Sequence, residues 1–343
     1  MRKCNNDIPI DFVMTWLDDT DPVWRASYRQ YKDVKEMSST SADGVSQERF
    51  RNWDNLKYWF RGVEKFAPWV NNIYLVTCGQ CPEWLDTSNP KIHLVDHKDY
   101  IPEKYLPVFS SHPIELNLHR INGLSENFVY FNDDIFILKQ LAKTDFFING
   151  EPREMAVEFP LYSRGKDSFE HILLNMSGVL NTFFRKKQVI KENRVKWFHP
   201  VYGKYLINNI CMQRYSVFSG IITPHFPSSL NKKRINEIWE KLFPQLDETC
   251  SHRFRSAEDI NQYIFRFWNI MTGKFYPTNF DKYARFVAIS DDNVSKVEKV
   301  IKEGRVKLLC INDSKNVKDF ELVKSRINSS LNELLPQKSS FEL

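Results

Sequence analysis

Asp133 and Asp134 follow an asparagine, Asn132, and four apolar residues, Phe128-Val129-Tyr130-Phe131. Such a run reads as a strand, and a strand delivers the residues after it to the carboxyl edge of a sheet, where α/β proteins bind ligands. Two carboxylates at that edge can hold Mg²⁺ or Mn²⁺ against a diphosphate, and one can serve as a general base. An acidic turn between two strands is the competing reading. A basic segment, Ser251-His252-Arg253-Phe254-Arg255-Ser256-Ala257-Glu258-Asp259, lies far along the chain. Ser256 with Asp259 approximates a capping box, which predicts a helix from Ser256 to Met271 with His252, Arg253 and Arg255 just before its positive end. Guanidinium groups at a helix N-terminus form a phosphate site; a solvated basic turn is the alternative.

Further candidates are scattered. His225 stands between Pro224 and Pro227 in a rigid loop. It can act as a proton shuttle or donate to phosphate, although a lone histidine is more often structural. Asp18 and Asp21, in Asp18-Asp19-Thr20-Asp21-Pro22, can contact the ribose or base of a nucleotide, or simply cap a turn that Pro22 punctuates. Asn312-Asp313 repeats the strand-then-acid pattern and can complete a metal shell with Asp134, or cap the last helix. Glu115 and His119 stand four apart, which reads as an intrahelix pair, while His112 and Arg120 can reach the sheet edge. Neither a Gly-rich phosphate loop nor a serine nucleophile elbow is visible, so phosphate must be held by metal, arginine and a helix end. Cys78-Gly-Gln-Cys81 lacks a second pair or nearby histidines at zinc spacing.

The elements that must position these groups alternate. Ile10, Phe12, Met14 and Trp16 predict a first strand, and Ile73–Val76, Lys91–Val95, Phe128–Phe131, Ile135–Leu138 and Val306–Ile311 predict others. Leu56, Trp59, Phe60, Val63, Phe66 and Ala67 share a helical face that Pro68 ends. A helix with Ser111 as N-cap runs on through Ile121 to Gly123, and further helices span Lys232–Leu242 and Phe320–Leu334. Residues 36–48 read as a flexible loop, 151–215 as a partly helical insertion or lid, and the tail Pro336–Leu343 as loosely held. Strands alternating with helices predict an α/β class with a mostly parallel sheet.

The chain has 343 residues, 42% hydrophobic and 27% charged, with Lys+Arg 48 against Asp+Glu 43 for a net charge of +5. That excess suits anionic substrates or an anionic membrane surface and is far from the basic stripe of a nucleic-acid binder. Met1–Asp7 lacks the apolar core of a secretory signal, and no uncharged apolar run approaches the ~20 residues that span a bilayer. The expectation is a cytoplasmic protein, with peripheral attachment at the inner face of the membrane left open. Six cysteines (4, 78, 81, 211, 250, 310) are spread along the chain rather than patterned as a disulfide framework.

Taken in order, these pieces resemble the Stealth family of sugar phosphotransferases, which includes bacterial capsule and exopolysaccharide enzymes and the catalytic subunit of N-acetylglucosamine-1-phosphotransferase. The resemblance is carried by IDFVMTWLD through Asp21-Pro22, by residues 49 to about 138 including LKYWFRGVEKFAPWV and PVFSSHPIELNLHRINGLSENFVYFNDD, by PHFP through ETCSHRFRSAEDIN, and by CINDS with LLPQKSSFE. It implies one Stealth-type catalytic domain over 1–343, with blocks at about 8–25, 49–150, 223–271 and 305–342, and a nucleotide-sugar-transferase (GT-A-like) sheet.

The implied reaction moves a hexose-1-phosphate from a UDP-sugar to a glycan hydroxyl and releases UMP, in capsular or exopolysaccharide synthesis. By the same matching, the family's acidic pair falls on Asp133 and Asp134, its histidine on His225 and its arginine on Arg255. Asp18 and Asp21 fall on the nucleotide side, and Asn312 with Asp313 in the closing acidic block. His112, Arg120, His252 and Arg253 remain candidate substrate contacts. One departure stands out: Arg51-Asn52 occupies the place of a usual Arg-Asp, with Asp54 two residues on as a substitute. The partners implied are a UDP-sugar, a glycan acceptor and a polysaccharide-assembly or membrane surface, with no nucleic acid. The competing functions are a glycosyltransferase that releases UDP and a non-catalytic glycan-binding assembly protein.

Overall fold

A computed structural model describes residues 8–32, 50–163, 165 and 169–343; the expectations for Met1–Asp7 and for the loop 36–48 lie outside these residues. The first elements are β1 (Ile10–Thr15), α1 (Pro22–Lys32), α2 (Leu56–Phe66), β2 (Ile73–Thr77), β3 (Ile92–Asp96), α3 (Ser111–Asn117), β4 (Asn127–Phe131) and β5 (Ile135–Ile137). β4, β1, β2 and β3 lie side by side in that order, all parallel, and the strand Ser228–Asn231 adds antiparallel to the outside of β4. Ile10, Phe12, Val13 and Met14 are all buried. Such two-sided burial is why this central strand reads as a continuous apolar run rather than an alternating one.

Asp11 breaks that run and is fully buried. Its carboxylate accepts bonds from the Asn71 side chain, the Asn72 amide and the Ser125 amide at 2.8, 3.0 and 2.6 Å. One buried acid thereby fixes the loops that lead into β2 and β4, and its burial is offset by three donors.

A second, smaller sheet orders Ala284–Ala288, Leu308–Asn312 and β5. The helices Val294–Glu303 and Phe320–Leu334 belong with it through an apolar cluster that includes Val297, Ile301, Leu309, Ile311, Ile327 and Leu331. α2 packs against β5 so closely that a Cβ on Gly62 would sit 2.9 Å from the Ile137 carbonyl oxygen. The predicted α/β class, parallel strands flanked by helices, is what the chain adopts.

Residues 170–212 carry the helices Glu170–Phe183, Lys186–Glu192, Arg194–Trp197 and Leu206–Met212. Leu173, Met176, Leu180, Val189 and Trp197 from this stretch join the main core. Buried Lys186 ties it together, donating to Glu158 at 2.9 Å and to the Met212 carbonyl at 2.6 Å.

Three expectations fail. The helix expected from Ser256 begins at Tyr263, because Ser256 and Asp259 bond within a turn instead of opening a helix. α3 is capped by Ser110 rather than Ser111 and ends at Asn117, giving way to a tight turn at Leu118–Arg120. The tail is not loose. Phe341 is buried in the main core, and Glu342 receives the Arg61 guanidinium through two bonds of 2.8 and 2.7 Å. The Asp86 amide donates to the Phe341 carbonyl and the Leu343 amide to the Trp84 carbonyl.

The Arg61–Glu342 side chains are only 8% and 3% exposed. Burial opposes the charge on Glu342, yet bonds from Arg61 and Ser339 hold it below the usual carboxylate range. Its contribution is therefore present above that range and is lost as pH falls through the lowered value. Glu342→Ala should cost about 3–5 kcal/mol at neutral pH, read as a lower urea midpoint. The gap to wild type should shrink in acid, and an unchanged midpoint at pH 7 would show the latch to be idle.

Candidate active site

A cleft of about 790 Å³ opens at the carboxyl ends of β1, β2 and β4, lined there by Thr15, Val76 and Asn132. β2 and β3 extend the sheet to one side of β1, and the chain then returns to place β4 on the other. The cleft straddles that switch point, where open α/β sheets bind their ligands. Its size falls in the range of sites that enclose a small organic ligand.

Asp133 and Asp134 form the turn between β4 of the large sheet and β5 of the small one. The Ile311 amide donates to the Asp134 carbonyl at 2.8 Å, and the Ile135 amide closes the turn onto the Asn132 carbonyl at 3.2 Å. Asp134 Oδ2 accepts from His225 Nε2 at 3.2 Å and from the Cys310 thiol at 3.2 Å. Its Oδ1 is buried without a hydrogen-bond partner. The two acids differ in charge. Crowding by protein and the neighbouring Asp134 push Asp133 up to about 7, although its side chain is exposed to the cleft. Burial also presses Asp134 upward, but His225 outweighs it and holds Asp134 below the usual range. His225 is the mirror case: burial works to lower it, Asp134 works to raise it, and Asp134 prevails.

Around this centre Tyr263 Oη bonds His225 Nδ1 at 3.2 Å, orienting the ring so that Nε2 faces Asp134. Arg255 Nη2 donates to Ser111 Oγ at 2.9 Å. Arg255 also lies near buried Glu115, whose carboxyl burial raises and Arg255 partly restores. Tyr130 links Glu115 to the acidic turn, donating to Glu115 at 3.3 Å and accepting from Asn132 at 3.2 Å. Aspartates 133 and 134, His225 and Arg255 thus line one cleft, together with His112, Asn312 and Asp313.

The other candidates are engaged by partners of their own, in the cleft or away from it. Asp18 accepts from Thr20 in a local turn, and Asp21 caps α1 at the Trp24 amide; neither lines the cleft. Arg120 lies over Trp239 with 4.9 Å to the ring centroid and bonds Asn117. Arg253 lies over Tyr31 at 4.9 Å. His252 and His112 clasp the two oxygens of buried Asp259 at 2.7 Å each, so both rings hold the backbone that carries Arg255. Asp313 lines the cleft, but both its oxygens are engaged, by Arg51 at 2.6 and 2.9 Å and by Trp53 at 3.2 Å. The helix N-terminus expected behind Arg253 and Arg255 does not form there, since the helix starts at Tyr263.

Glu115, Tyr130, Tyr263 and Cys310 were not singled out as site residues from the sequence. Glu115 and His119 do not pair: Glu115 bonds Tyr130 near the cleft, while His119 packs beside Trp239 at 5.9 Å. Cys310 carried a usable signal, since it lies two residues before Asn312 on the strand that precedes the closing acidic block.

A cleft at this switch point, into which acidic and basic side chains converge, marks the candidate ligand site of an α/β protein. Residues 49–154 match the family described as Stealth protein CR2, conserved region 2. The chain is 38% identical over 97% of its length to capsular polysaccharide phosphotransferase WcwK of Streptococcus pneumoniae, covering 98% of that protein. It is 38% identical to receptor polysaccharide phosphotransferase WefC of Streptococcus oralis, covering 97% of this chain and 99% of WefC. It is 35% identical to exopolysaccharide phosphotransferase cps2G of Lactiplantibacillus plantarum, at 97% and 96% coverage. Among solved structures, galactosyltransferase LgtC with donor and acceptor sugar analogs aligns at a TM-score of 0.40 and 9% identity over 96% of this chain and 98% of LgtC, too distant to bear on chemistry. The chain belongs to the Stealth family of polysaccharide phosphotransferases. No helix of the described residues is long and apolar enough to cross a membrane.

The Asp259 clasp has a defined pH window. Burial opposes the Asp259 charge, but bonds from His112 and His252 hold it below its ordinary value of 3.8. The bond to Asp259 raises His252 above 6.5. A lowered acid stabilises above 3.8, and a raised base stabilises below 6.5, so the clasp contributes fully between those values. Asp259→Asn should therefore lower Tm most near pH ~5, with the deficit narrowing as pH rises through the elevated His252 value. A pH-independent deficit would rule out the charged clasp.

Proposed function

We propose that the protein transfers a hexose-1-phosphate from a UDP-sugar to a hydroxyl of a glycan, breaking the diphosphate bond and releasing UMP. The observation that carries this reading is the convergence of Asp133, Asp134, His225 and Arg255 on one cleft large enough for a nucleotide sugar. Their assignment to the reaction rests on that convergence and on the family's chemistry.

Phosphoryl transfer needs in-line positioning and neutralised charge more than covalent help. Asp133, whose side chain opens onto the cleft, is placed to take the acceptor's proton. His225 turns its Nε2 onto Asp134 at 3.2 Å, so that nitrogen is engaged by the carboxylate rather than left open as a base. Arg255, braced by Ser111 and Glu115, faces the same space and stabilises charge on the transferred phosphate. This choice of base goes one step beyond the sequence, which left His225 and the aspartates level.

The donor chemistry fits a hard divalent ion such as Mg²⁺ or Mn²⁺. Asp134 Oδ1 is a buried carboxylate oxygen without a partner, and Asp133 opens onto the cleft beside it. Asp134 would hold such an ion, with Asn312 near the rim, while Asp313 is taken by Arg51. When bound, the ion neutralises diphosphate charge.

The test is product analysis. Purified protein with a panel of UDP-sugars, a glycan acceptor and Mg²⁺ or Mn²⁺ should release UMP; UDP release would replace this reading with glycosyl transfer. Arg255→Ala should keep the fold and lower kcat about 100- to 1,000-fold, and unchanged turnover would remove Arg255 from the mechanism.

We also read the surface around the helix Leu206–Met212 as facing an anionic membrane. Ile207 and Ile210, three apart and therefore on one helix face, are 59% and 58% exposed. Arg185, Lys187, Lys191, Arg194, Lys204 and Arg214 in the surrounding sequence are exposed. Exposed apolar anchors among basic residues suit anionic lipid. Wild-type protein should co-sediment with phosphatidylglycerol vesicles and not with phosphatidylcholine, and Ile207→Asp/Ile210→Asp should abolish this. Equal binding to both vesicles, or none, would end the reading.

A further inference from the structure

Cys310 has no part in the transfer chemistry, yet it sits against the acid on which that chemistry turns. Its position is forced by register. Leu308–Asn312 pairs antiparallel with β5, with Cys310 opposite Ile135, so its buried side chain meets the β4–β5 turn and donates to Asp134 Oδ2. His225 reaches the same oxygen from the Pro224–Pro227 loop. The carboxylate oxygen, the imidazole Nε2 and the thiol sulfur all lie within 4.8 Å of one another, with Oδ2 3.2 Å from each of the other two. Zinc bonds of about 2.0–2.3 Å place tetrahedral ligands roughly 3.2–3.8 Å apart. Oδ2 already stands at that spacing from both partners, and the separation that must close on an ion is the one between Nε2 and the sulfur.

We propose that Asp134, His225 and Cys310 form a binding site for a soft divalent cation such as Zn²⁺, and that filling it stops sugar-phosphate transfer. A carboxylate, an imidazole and a thiolate form a donor set for Zn²⁺, Co²⁺ or Cd²⁺, whereas Mg²⁺ takes oxygen ligands. The set is pre-oriented. The Ile311 amide pins the Asp134 carbonyl, and Tyr263 Oη bonds His225 Nδ1, the outer contact that typically fixes a histidine ligand. The set is open to the cleft, which His225 and Asp134 both line and into which His225 is 32% exposed. On binding, the Cys310 thiol releases its proton to solvent, the sulfur–metal bond forms, and Nε2 exchanges its proton for the metal. His225 and Asp134 Oδ2 are then withdrawn from the reaction, while Asp134 Oδ1 remains on its other side. Metal capture stands on the geometry alone; the inhibition rests on the transferase reading.

The experiment titrates metal-free full-length protein with Co²⁺ and then Zn²⁺. A thiolate-to-cobalt charge-transfer band should appear at one equivalent, vanish when Zn²⁺ is added, and persist under excess Mg²⁺. The band should be absent in Cys310→Ser and retained in Cys78→Ser/Cys81→Ser. Tyr263→Phe should weaken binding about 10- to 100-fold. If Cys310→Ser does not fold, His225→Gln on its part-exposed loop substitutes and should lose about tenfold or more in affinity. No band, or a band that survives Cys310→Ser and disappears with the Cys78/Cys81 pair, overturns the site. Zn²⁺ should inhibit UMP release at the concentration that displaces Co²⁺, and binding without inhibition overturns the second half. Absence of turnover with every UDP-sugar would fault the transferase reading and leave the cobalt result intact.

Discussion

The hydrogen bond from the Ile311 amide to the Asp134 carbonyl joins two sheets at the point where the acids emerge. β4 ends in the large sheet and β5 begins in the small one, with only Asn132, Asp133 and Asp134 between them. A turn this short, anchored at both ends in buried strands, has little freedom to reorient its carboxylates. The small sheet fixes the far wall of the cleft by the same contact, since Asn312 and Asp313 continue the strand that supplies the bond. Placing acids on rigid elements in this way gives positional precision that a free loop cannot.

Electrostatics then divides the pair. Two like charges in one turn cannot both ionise freely, and the neighbours decide which one does. His225 settles on Asp134, so Asp133 bears the burden of burial and repulsion. The result is one carboxylate held ionised beside one whose charge is opposed. The clasp of His112 and His252 on Asp259 plays a supporting part, keeping the arginine loop in register with Ser111.

Much of this was legible in the residues. The strands at 73–77 and 127–131 and the helix at 56–66 have dense apolar patterns with clear stops, and they fall within a residue or two of where periodicity places them. The convergence of Asp133, Asp134, His225 and Arg255 was legible through the family resemblance, because no local pattern says that residues 134 and 225 touch. What failed failed for physical reasons. Ser256 and Asp259 have the spacing of a capping box, but Asp259 is claimed by two histidines whose approach no spacing predicts. The tail reads as loosely held, yet Phe341 finds a core pocket and Glu342 finds Arg61, which lies 281 positions away. Glu115 was dismissed as half of a helical pair because its true neighbours, Tyr130 and Arg255, come from other elements. Tertiary contacts decide these cases.

Gly62 sits where α2 and β5 come closest, and its missing side chain has reach beyond local packing. A methyl group there would press on the Ile137 carbonyl, one strand-length from Asp134, and the helix or the strand would have to give way. The spacing between this helix and the strand that follows the acids is thus gauged by a single hydrogen atom.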